Sequence, residues 1–303
     1  MKALRTLFHV AAVAMCIACC VNADAAGKKS KPKAKHVIFI GLDGMSAADF
    51  NAEEVPNIKS FMDEGCWTLK KRSVLPSSSA INWASMFMGV GTELHGYTTW
   101  GSKTPELESR VVNAHGIMPT MFSVLDEKHP EYELGCISNW ETIKCLIDSV
   151  AVDYYEQINT LEELGEQAVK YITEKKPNLF AVCWDNPDHE GHTIGWGTEV
   201  YHEAVRKVDG YVGKIIQATK DAGIYDDCIF IVTADHGGIE KHHGGISLNE
   251  METPFIICGK NVRNGGEITD SMMQFDVAAT VTEVFGLQRP QVWIGRPMNV
   301  FKK

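Results

Sequence analysis

The chain is short of positive charge, of closely spaced cysteines and of linker-like composition. Across 303 residues, 29 Lys and Arg face 39 Asp and Glu, a formal charge of −10. Nucleic-acid polymers are bound through clustered cations, so this balance argues against such a polymer as the main partner. Beyond the first 20 residues there are six cysteines, Cys66, Cys136, Cys145, Cys183, Cys228 and Cys258. They are too dispersed for the disulfide framework of a small scaffold, and no pair has thiol-redox or zinc-knuckle spacing. One or two bridges stay open, while Cys183 and Cys228, inside strand-like runs, read as buried apolar thiols. No internal repeat and no Pro-, Gly- or Ser-rich stretch divides the body, so it reads as one domain. A hydrophobic content of 45% excludes low-complexity disorder and is ample for a large core.

The N-terminus has its own pattern. Lys2 and Arg5 precede an apolar run over 7–21, followed by small residues around Ala23 and Ala25. Charged, apolar and small-residue regions in that order predict a secretory signal peptide over 1–25, hence an exported, periplasmic or extracellular protein. The apolar run is short for a membrane span, so no stable span is expected after processing. A lipid anchor at Cys19 or Cys20 is the minor alternative. Residues 26–35 form a basic leader, read as a flexible tether.

From residue 36 the punctuation alternates in an α/β manner. Strand-like apolar runs are expected over 36–41, 132–137, 179–184, 228–233 and 255–258. The segment 56–65 opens on Pro56 and stops at Gly65, predicting a helix with matching ends. Further helices are expected over 79–88, 118–128, 161–176, 198–222 and 275–285. In 198–222 the residues Tyr201, Val205, Val208, Val212, Ile215 and Thr219 recur at spacings of four and three, one buried stripe. The fold class is therefore α/β, with a mostly parallel central sheet, helices on both faces, and loops after the strand C-termini as the site edge.

Those loops are where carboxylates and imidazoles gather. Asp43 follows the first strand, Asp188, His189, Glu190 and His192 follow the strand ending at Trp184, and Asp235 and His236 follow the strand ending at Thr233, with His242 and His243 soon after. Such a set suits zinc or a similar divalent ion, and its size favours two ions because one tetrahedral ion could not use it all. Asp185 and Glu190 read as bland or as partners of a ligand's imidazole, and His189 and His242 as neighbours of the metal loops. A nucleophile is offered by Ser77, Ser78 or Ser79 at the start of the 79–88 helix, where free backbone donors can face an anion; by residue type alone the three are equivalent, and all could be caps.

Taken together, these segments resemble the alkaline phosphatase superfamily, in its nucleotide pyrophosphatase/phosphodiesterase-like branch, over about 36–297. Asp43 in Ile40-Gly-Leu-Asp-Gly-Met45 fits the aspartate that binds one metal. Pro187-Asp188-His189-Glu190-Gly191-His192 meets the motif Pro-Asp-x-x-Gly-His, and Asp235-His236-Gly237 meets the Asp-His-Gly pair. The resemblance implies a three-layer sandwich. It makes Ser79 the nucleophile, three positions before Asn82, with Asn82 donating to a phosphoryl oxygen. It also implies one ion on Asp43, Ser79, Asp235 and His236 and a second on Asp188, His192 and His243, with His242 the competitor for the last place.

Two departures bear on substrate. Nucleotide-cleaving members carry Phe-Pro-Asn-His around the asparagine, whereas this chain reads Ala80-Ile-Asn82-Trp83, so an aromatic wall would have to come from elsewhere, such as Trp83 or Trp196. The last histidine also follows the Asp-His-Gly motif closely. A cap, if the fold carries one, would be small and drawn from 91–153. The resemblance therefore implies a metal-dependent phosphohydrolase domain over 36–303, with two ions, zinc first among them. It would act on a small phosphate ester, by phosphodiester or pyrophosphate hydrolysis through a phosphoserine. Phosphate monoester hydrolysis is the alternative, and sulfate or phosphonate esters come after it. The formylglycine motif of sulfatases is missing near Ser79. An exported binding protein with one structural metal is the non-enzymatic competitor.

Overall fold

The computed structural model describes residues 31–302. The expected signal peptide, the Cys19/Cys20 anchor and the start of the basic leader lie outside the described residues. The leader's end is tied to the body: Lys33 N–H donates to the Val284 carbonyl at 2.6 Å, and Lys35 pairs with Asp227 at 2.7 Å. Among the described residues, no helix is long and apolar enough to cross a membrane.

Strand β1, His36–Leu42, shows why the body forms around it. Val37 and Phe39 pack into one apolar cluster and Ile38, Ile40 and Leu42 into another, so alternate side chains feed cores on both faces of the sheet. The chain continues through α1 (Pro56–Glu64), β2 (Cys66–Arg72), α2 (Ser79–Met88), α3 (Met121–Lys128), β3 (Leu134–Ser138), β4 (Tyr154–Gln157), α4 (Leu161–Lys175), β5 (Leu179–Trp184), α5 (Asp188–Thr193), α6 (Glu199–Asp221), β6 (Cys228–Ala234), β7 (Glu252–Gly259), β8 (Gly266–Glu267) and α7 (Asp276–Val284). The strand order is β4-β3-β5-β1-β6-β7-β2-β8. Only β7 runs against its neighbours, pairing antiparallel with both β6 and β2. Residues of α2, α3 and α7 cover one face, and those of α1, α4 and α6 the other. The result is a three-layer sandwich.

The predicted stripe of α6 is buried along its whole length. At about 1.5–3 kcal/mol per buried aliphatic side chain, it anchors this helix far more strongly than helix propensity could. The six cysteines of the body are free thiols, five of them buried, so the open question of one or two bridges resolves as none.

Much of the segment 91–153 belongs to the body of the fold. Its strand β3 lies inside the central sheet, paired with β5, and its helix α3 packs into the core under α2 and α7. Two loops from this segment overhang the C-terminal end of the sheet and bring Trp100 and Trp140 to the edge of the pocket. The Trp100 loop is held by one carboxylate. Glu106 accepts from the Thr98 N–H at 2.8 Å and from the Thr98 and Thr99 hydroxyls at 3.0 and 2.9 Å, and also takes the Ser102 hydroxyl. Desolvation works against ionisation, yet these donors hold the Glu106 pKa down to about 2.

Candidate metal-dependent active site

The C-terminal ends of β1, β5 and β6 lie side by side, and each delivers one aspartate. Asp43 sits on the turn after β1, Asp188 opens α5 after β5, and Asp235 follows β6. The first two loops touch: Asp188 N–H donates to the Asp43 carbonyl at 3.0 Å. Gly44 makes that approach feasible. Its φ of +71° is in the left-handed region, and a Cβ there would stand 2.7 Å from Asp188 Cβ. The Gly44 carbonyl accepts from Trp196 Nε1 at 2.8 Å and from the Tyr201 hydroxyl at 3.0 Å, which pins the turn from α6 and the segment just before it.

The six side chains fall into two groups. In one, Asp43, Asp235 and His236 are all buried; in the other, Asp188 is buried, His243 is half-buried and His192 is exposed. Within each group the ligand atoms lie within 4.8 Å of one another. The groups abut through the His236 and His243 rings, stacked at 3.8 Å. These are two clusters able to coordinate divalent metal ions.

Two observations of this chain fit such ions. Asp43 Oδ1, Asp188 Oδ1 and Asp235 Oδ2 are buried with no hydrogen-bond partner. An unpaired buried carboxylate oxygen is costly, and three in two adjoining clusters call for a compensating positive charge. Each histidine also ties its Nδ1 to a carbonyl: His236 to Gly237 at 2.8 Å, His192 to Lys241 at 3.0 Å and His243 to Ser77 at 3.1 Å. With Nδ1 as the donor, all three present the Nε2 lone pair, the arrangement that metal-ligating imidazoles need.

The electrostatics agree. Burial, then the neighbouring carboxylates Asp235 and Asp188, push the Asp43 pKa well above the usual range. Asp188 is raised by burial and then by Asp235 and Asp185. Burial pushes Asp235 up to about 6, held from going higher by the N–H groups of Gly44 and His236. Burial lowers His236 and His243 to about 3, so both are neutral and their close contacts with aspartates are not ion pairs.

Ser79, first residue of α2, is buried beside the first group, and its Oγ lies 3.0 Å from His236 Nε2. Because His236 Nδ1 goes to a backbone carbonyl and not to a carboxylate, this is not a Ser-His-Asp triad. Ser78 also lines the pocket, whereas Ser77 donates to the Gly245 carbonyl at 2.8 Å and is absent from the lining.

Asn82 is placed away from the cavity lining. It is fully buried, with Oδ1 accepting from Val74 N–H at 2.7 Å and Nδ2 donating to the carbonyls of Val74, Pro76 and Ser78 at 3.1–3.2 Å. The amide is saturated by the approach loop, does not line the pocket, and ties residues 74–78 to the start of α2. Asn82→Ala is expected to lower stability by about 2–3 kcal/mol by orphaning those groups. Thermal melting checks this, and an unchanged midpoint would contradict the bonding described.

The aromatic wall is also not where the sequence suggested. Trp83 and Trp196 are buried, their N–H groups bonded to Asp43 Oδ2 and the Gly44 carbonyl. The cavity, about 500 Å³, is instead lined by Trp100 and Trp140, with near-parallel rings 6.4 Å apart. Asp185, His189, Thr193 and His242 complete the lining with Ser78, Ser79 and four of the cluster residues, and no Lys or Arg is among them. Asp185, pushed up to about 6 chiefly by burial, and His189 also border a neighbouring polar chamber of about 340 Å³. Glu190 lines only that chamber, where it accepts from the Asn186 amide. One feature had no sequence signal at all: Lys71 is fully buried beneath the site, its ammonium donating to the Ala234 carbonyl at 2.6 Å and to Gln274. Trp83 did have one, since four residues from Ser79 is one helical turn.

Residues 37–254 match the family described as type I phosphodiesterase / nucleotide pyrophosphatase. Among curated proteins, the chain is 23% identical over 233 residues to the bis(5'-adenosyl)-triphosphatase enpp4 of Mus musculus, covering 70% of this chain and 49% of the relative. It is 33% identical over 148 residues to a 2,3-bisphosphoglycerate-independent phosphoglycerate mutase of Rhodopirellula baltica, covering 45% and 25%. The chain thus spans half or less of the length of these relatives. Among solved structures, murine ectonucleotide pyrophosphatase / phosphodiesterase 5 in complex with AMP aligns with a TM-score of 0.69 at 14% identity, covering 88% of this chain and 97% of that one. A putative sulfatase from Bacteroides thetaiotaomicron aligns with a TM-score of 0.70 at 14% identity, covering 88% and 74%. At such identities these two likenesses speak for the fold alone.

Proposed function

The chain belongs to the type I phosphodiesterase / nucleotide pyrophosphatase family, and from that premise we propose that it hydrolyses phosphodiester or pyrophosphate bonds through a phosphoserine formed on Ser79. The observation that carries the reading is the set of three orphaned aspartate oxygens facing three imidazole lone pairs beside a serine hydroxyl. Asp43, Asp235 and His236, joined by Ser79, would hold one divalent cation, and Asp188, His192 and His243 the other, with zinc the ion that best suits this His/Asp set. Bound there, the pair would neutralise charge on the phosphoryl oxygens and lower the pKa of the serine hydroxyl.

The chain's own groups supply the rest. Ser79 Oγ gives up its proton to solvent and attacks phosphorus in line; the new Oγ–P bond forms as the P–O bond to the leaving group breaks. Water then cleaves Oγ–P and restores Ser79. The bonded loop 74–78 fixes the nucleophile at the start of α2, and the buried strand ends keep the aspartates from turning towards solvent. The N-terminal pattern supports action outside the cytoplasm.

A diester is favoured over a monoester by the lining. A monoester brings a second negative charge and calls for an additional cation, and among the described residues neither Lys nor Arg lines the cavity; Trp100 and Trp140 offer an apolar wall to a second ester group instead. Initial rates on bis-p-nitrophenyl phosphate, p-nitrophenyl phosphate and p-nitrophenyl sulfate should fall in that order, and a preference for the monoester would overturn the substrate class. Trp100→Ala should slow hydrolysis of the bis-aryl diester about two- to tenfold, the loss of one aromatic contact of about 0.5–1.5 kcal/mol. Methyl p-nitrophenyl phosphate, with no second ring, should be hydrolysed at nearly the unaltered rate; equal losses on both substrates would remove Trp100 from the ester pocket.

A further inference from the structure

We propose that Trp83 is a positioning residue that sets the nucleophile and the neighbouring cation with a single side chain; the inference rests on the metal-assisted reading above. Ser79 and Trp83 stand one turn apart on the same face of α2. Trp83 Nε1 donates to Asp43 Oδ2 at 3.0 Å, which leaves Oδ1 as the oxygen without a partner. Oδ1 lies 3.3 Å from His236 Nε2, which in turn is 3.0 Å from Ser79 Oγ. The contacts close a ring: helix turn, indole, carboxylate, imidazole, hydroxyl.

The two buried aspartates of this group are oriented by different means. Asp235 offers one oxygen to two backbone N–H groups, from Gly44 and His236, so the main chain decides which oxygen stays free. For Asp43 the decision falls to the indole. An indole N–H can only donate and does not titrate in the working range, so it selects one carboxylate orientation at every pH of interest. The ring itself is immobile: Trp83 is 1% exposed and stacks on Phe87 at 5.5 Å. Its place is reserved by Gly41 in β1, where a Cβ would come 2.3 Å from Trp83 Cη2. Strand and helix are thus matched, with a missing side chain on β1 admitting the indole that steers the carboxylate two residues on.

Loss of the N–H would let Asp43 turn and offer either oxygen, and partners of this kind are worth about tenfold or more in ion affinity. The experiment is zinc binding by chelator competition on the full chain, as wild type, Trp83→Phe and Trp83→His. The wild type should bind two ions. Trp83→Phe, which keeps an aromatic ring and loses the donor, should weaken one ion about tenfold and leave the other within about twofold. Trp83→His, which can present an N–H again, should recover part of that loss. Melting of the ion-free variants reports whether each is folded, and in the wild type the assigned Trp83 indole N–H resonance should shift on zinc loading, a readout that needs no substitution. Unchanged binding by a folded Trp83→Phe, equal weakening of both ions, or an indole resonance indifferent to zinc would each overturn the assignment. A wild type that binds no zinc would overturn the metal-assisted reading together with it.

Discussion

Ser79→Ala should lower phosphodiester turnover by about four orders of magnitude or more, about 5.5 kcal/mol in activation free energy, while leaving the protein folded and still able to take up zinc. The size of the effect follows from what the residue does. Ser79 Oγ is the hydroxyl that stands against the first cluster, 3.0 Å from His236 Nε2, and under the proposed mechanism removing it would delete the covalent route rather than one stabilising contact. Zinc uptake should survive because Asp43, Asp235 and His236 remain, and the second cluster does not involve the serine. The removed hydroxyl leaves a space smaller than a methyl group, so stability should hardly change. Initial rates together with metal analysis of the purified variant decide the matter: normal turnover would end the assignment of the nucleophile, and loss of both ions would mean that the serine was holding the site together.

The second large effect is expected from Asp235→Asn. One oxygen of Asp235 already accepts the N–H groups of Gly44 and His236, so the asparagine carbonyl must take that place. Its NH₂ group is then forced into the position of Oδ2, the orphaned oxygen 3.3 Å from His236 Nε2, and would point two hydrogens at the cation. Rotating the amide only moves the conflict to the backbone donors. The variant should lose one ion by about a hundredfold or more in affinity, and activity with it. Retention of two tightly held ions would exclude Asp235 as a ligand.

The same carboxylates give ion loading a pH dependence of definite sign. In the ion-free fold burial raises Asp235 to about 6 and pushes Asp43 and Asp188 well above the usual carboxylate range, so ions must displace protons to bind. Zinc uptake at about pH 6 should therefore release protons, and affinity should climb as pH rises from 5 to 7. Calorimetry in two buffers of different ionisation enthalpy measures that release, and binding heats independent of buffer would contradict it. Stability of the ion-free fold follows the opposite logic for its two residue types. The raised carboxyls contribute stability that is present at low pH and lost as pH rises through their folded values. His236 and His243, lowered to about 3, contribute stability that is present above about 6.5 and lost as pH falls below it. Between pH 5 and 7 the two groups oppose each other, so ion loading, and not the bare fold, should carry most of the pH response.

Much of this architecture was legible in the residues. The apolar runs over β1, β5 and β6 announce strands buried on both faces, and the stripe of α6 announces its own packing. Charged or short segments hid the rest. Strand β2, which no expectation covered, contains Lys70, Lys71 and Arg72, yet Lys71 is wholly buried. Burial lowers its pKa to about 7, with Asp235 and Asp276 pulling it back up, a long-range balance that no local pattern encodes. Strand β4 ends on Glu156 and Gln157 at the sheet edge and lacks an apolar alternation. At the site, residue type and position after a strand pointed to the six side chains that the fold gathers into two clusters, because chemistry of that kind collects at strand C-termini. Asn82 shows the limit: sequence supplies an amide near the serine, but which way the amide turns depends on three carbonyls of a loop folded back on the helix. The tryptophans show it again, since which of Trp83, Trp100, Trp140 and Trp196 faces the cavity is decided by packing between distant segments.

The carboxylate that gathers the Thr98, Thr99 and Ser102 donors has a kinetic corollary. With its loop already braced, Trp100 should act as a fixed shelf at the cavity mouth and not as a door. Substrate entry and product escape would then be governed by diffusion past a rigid lip, and turnover should be indifferent to the tempo of that loop.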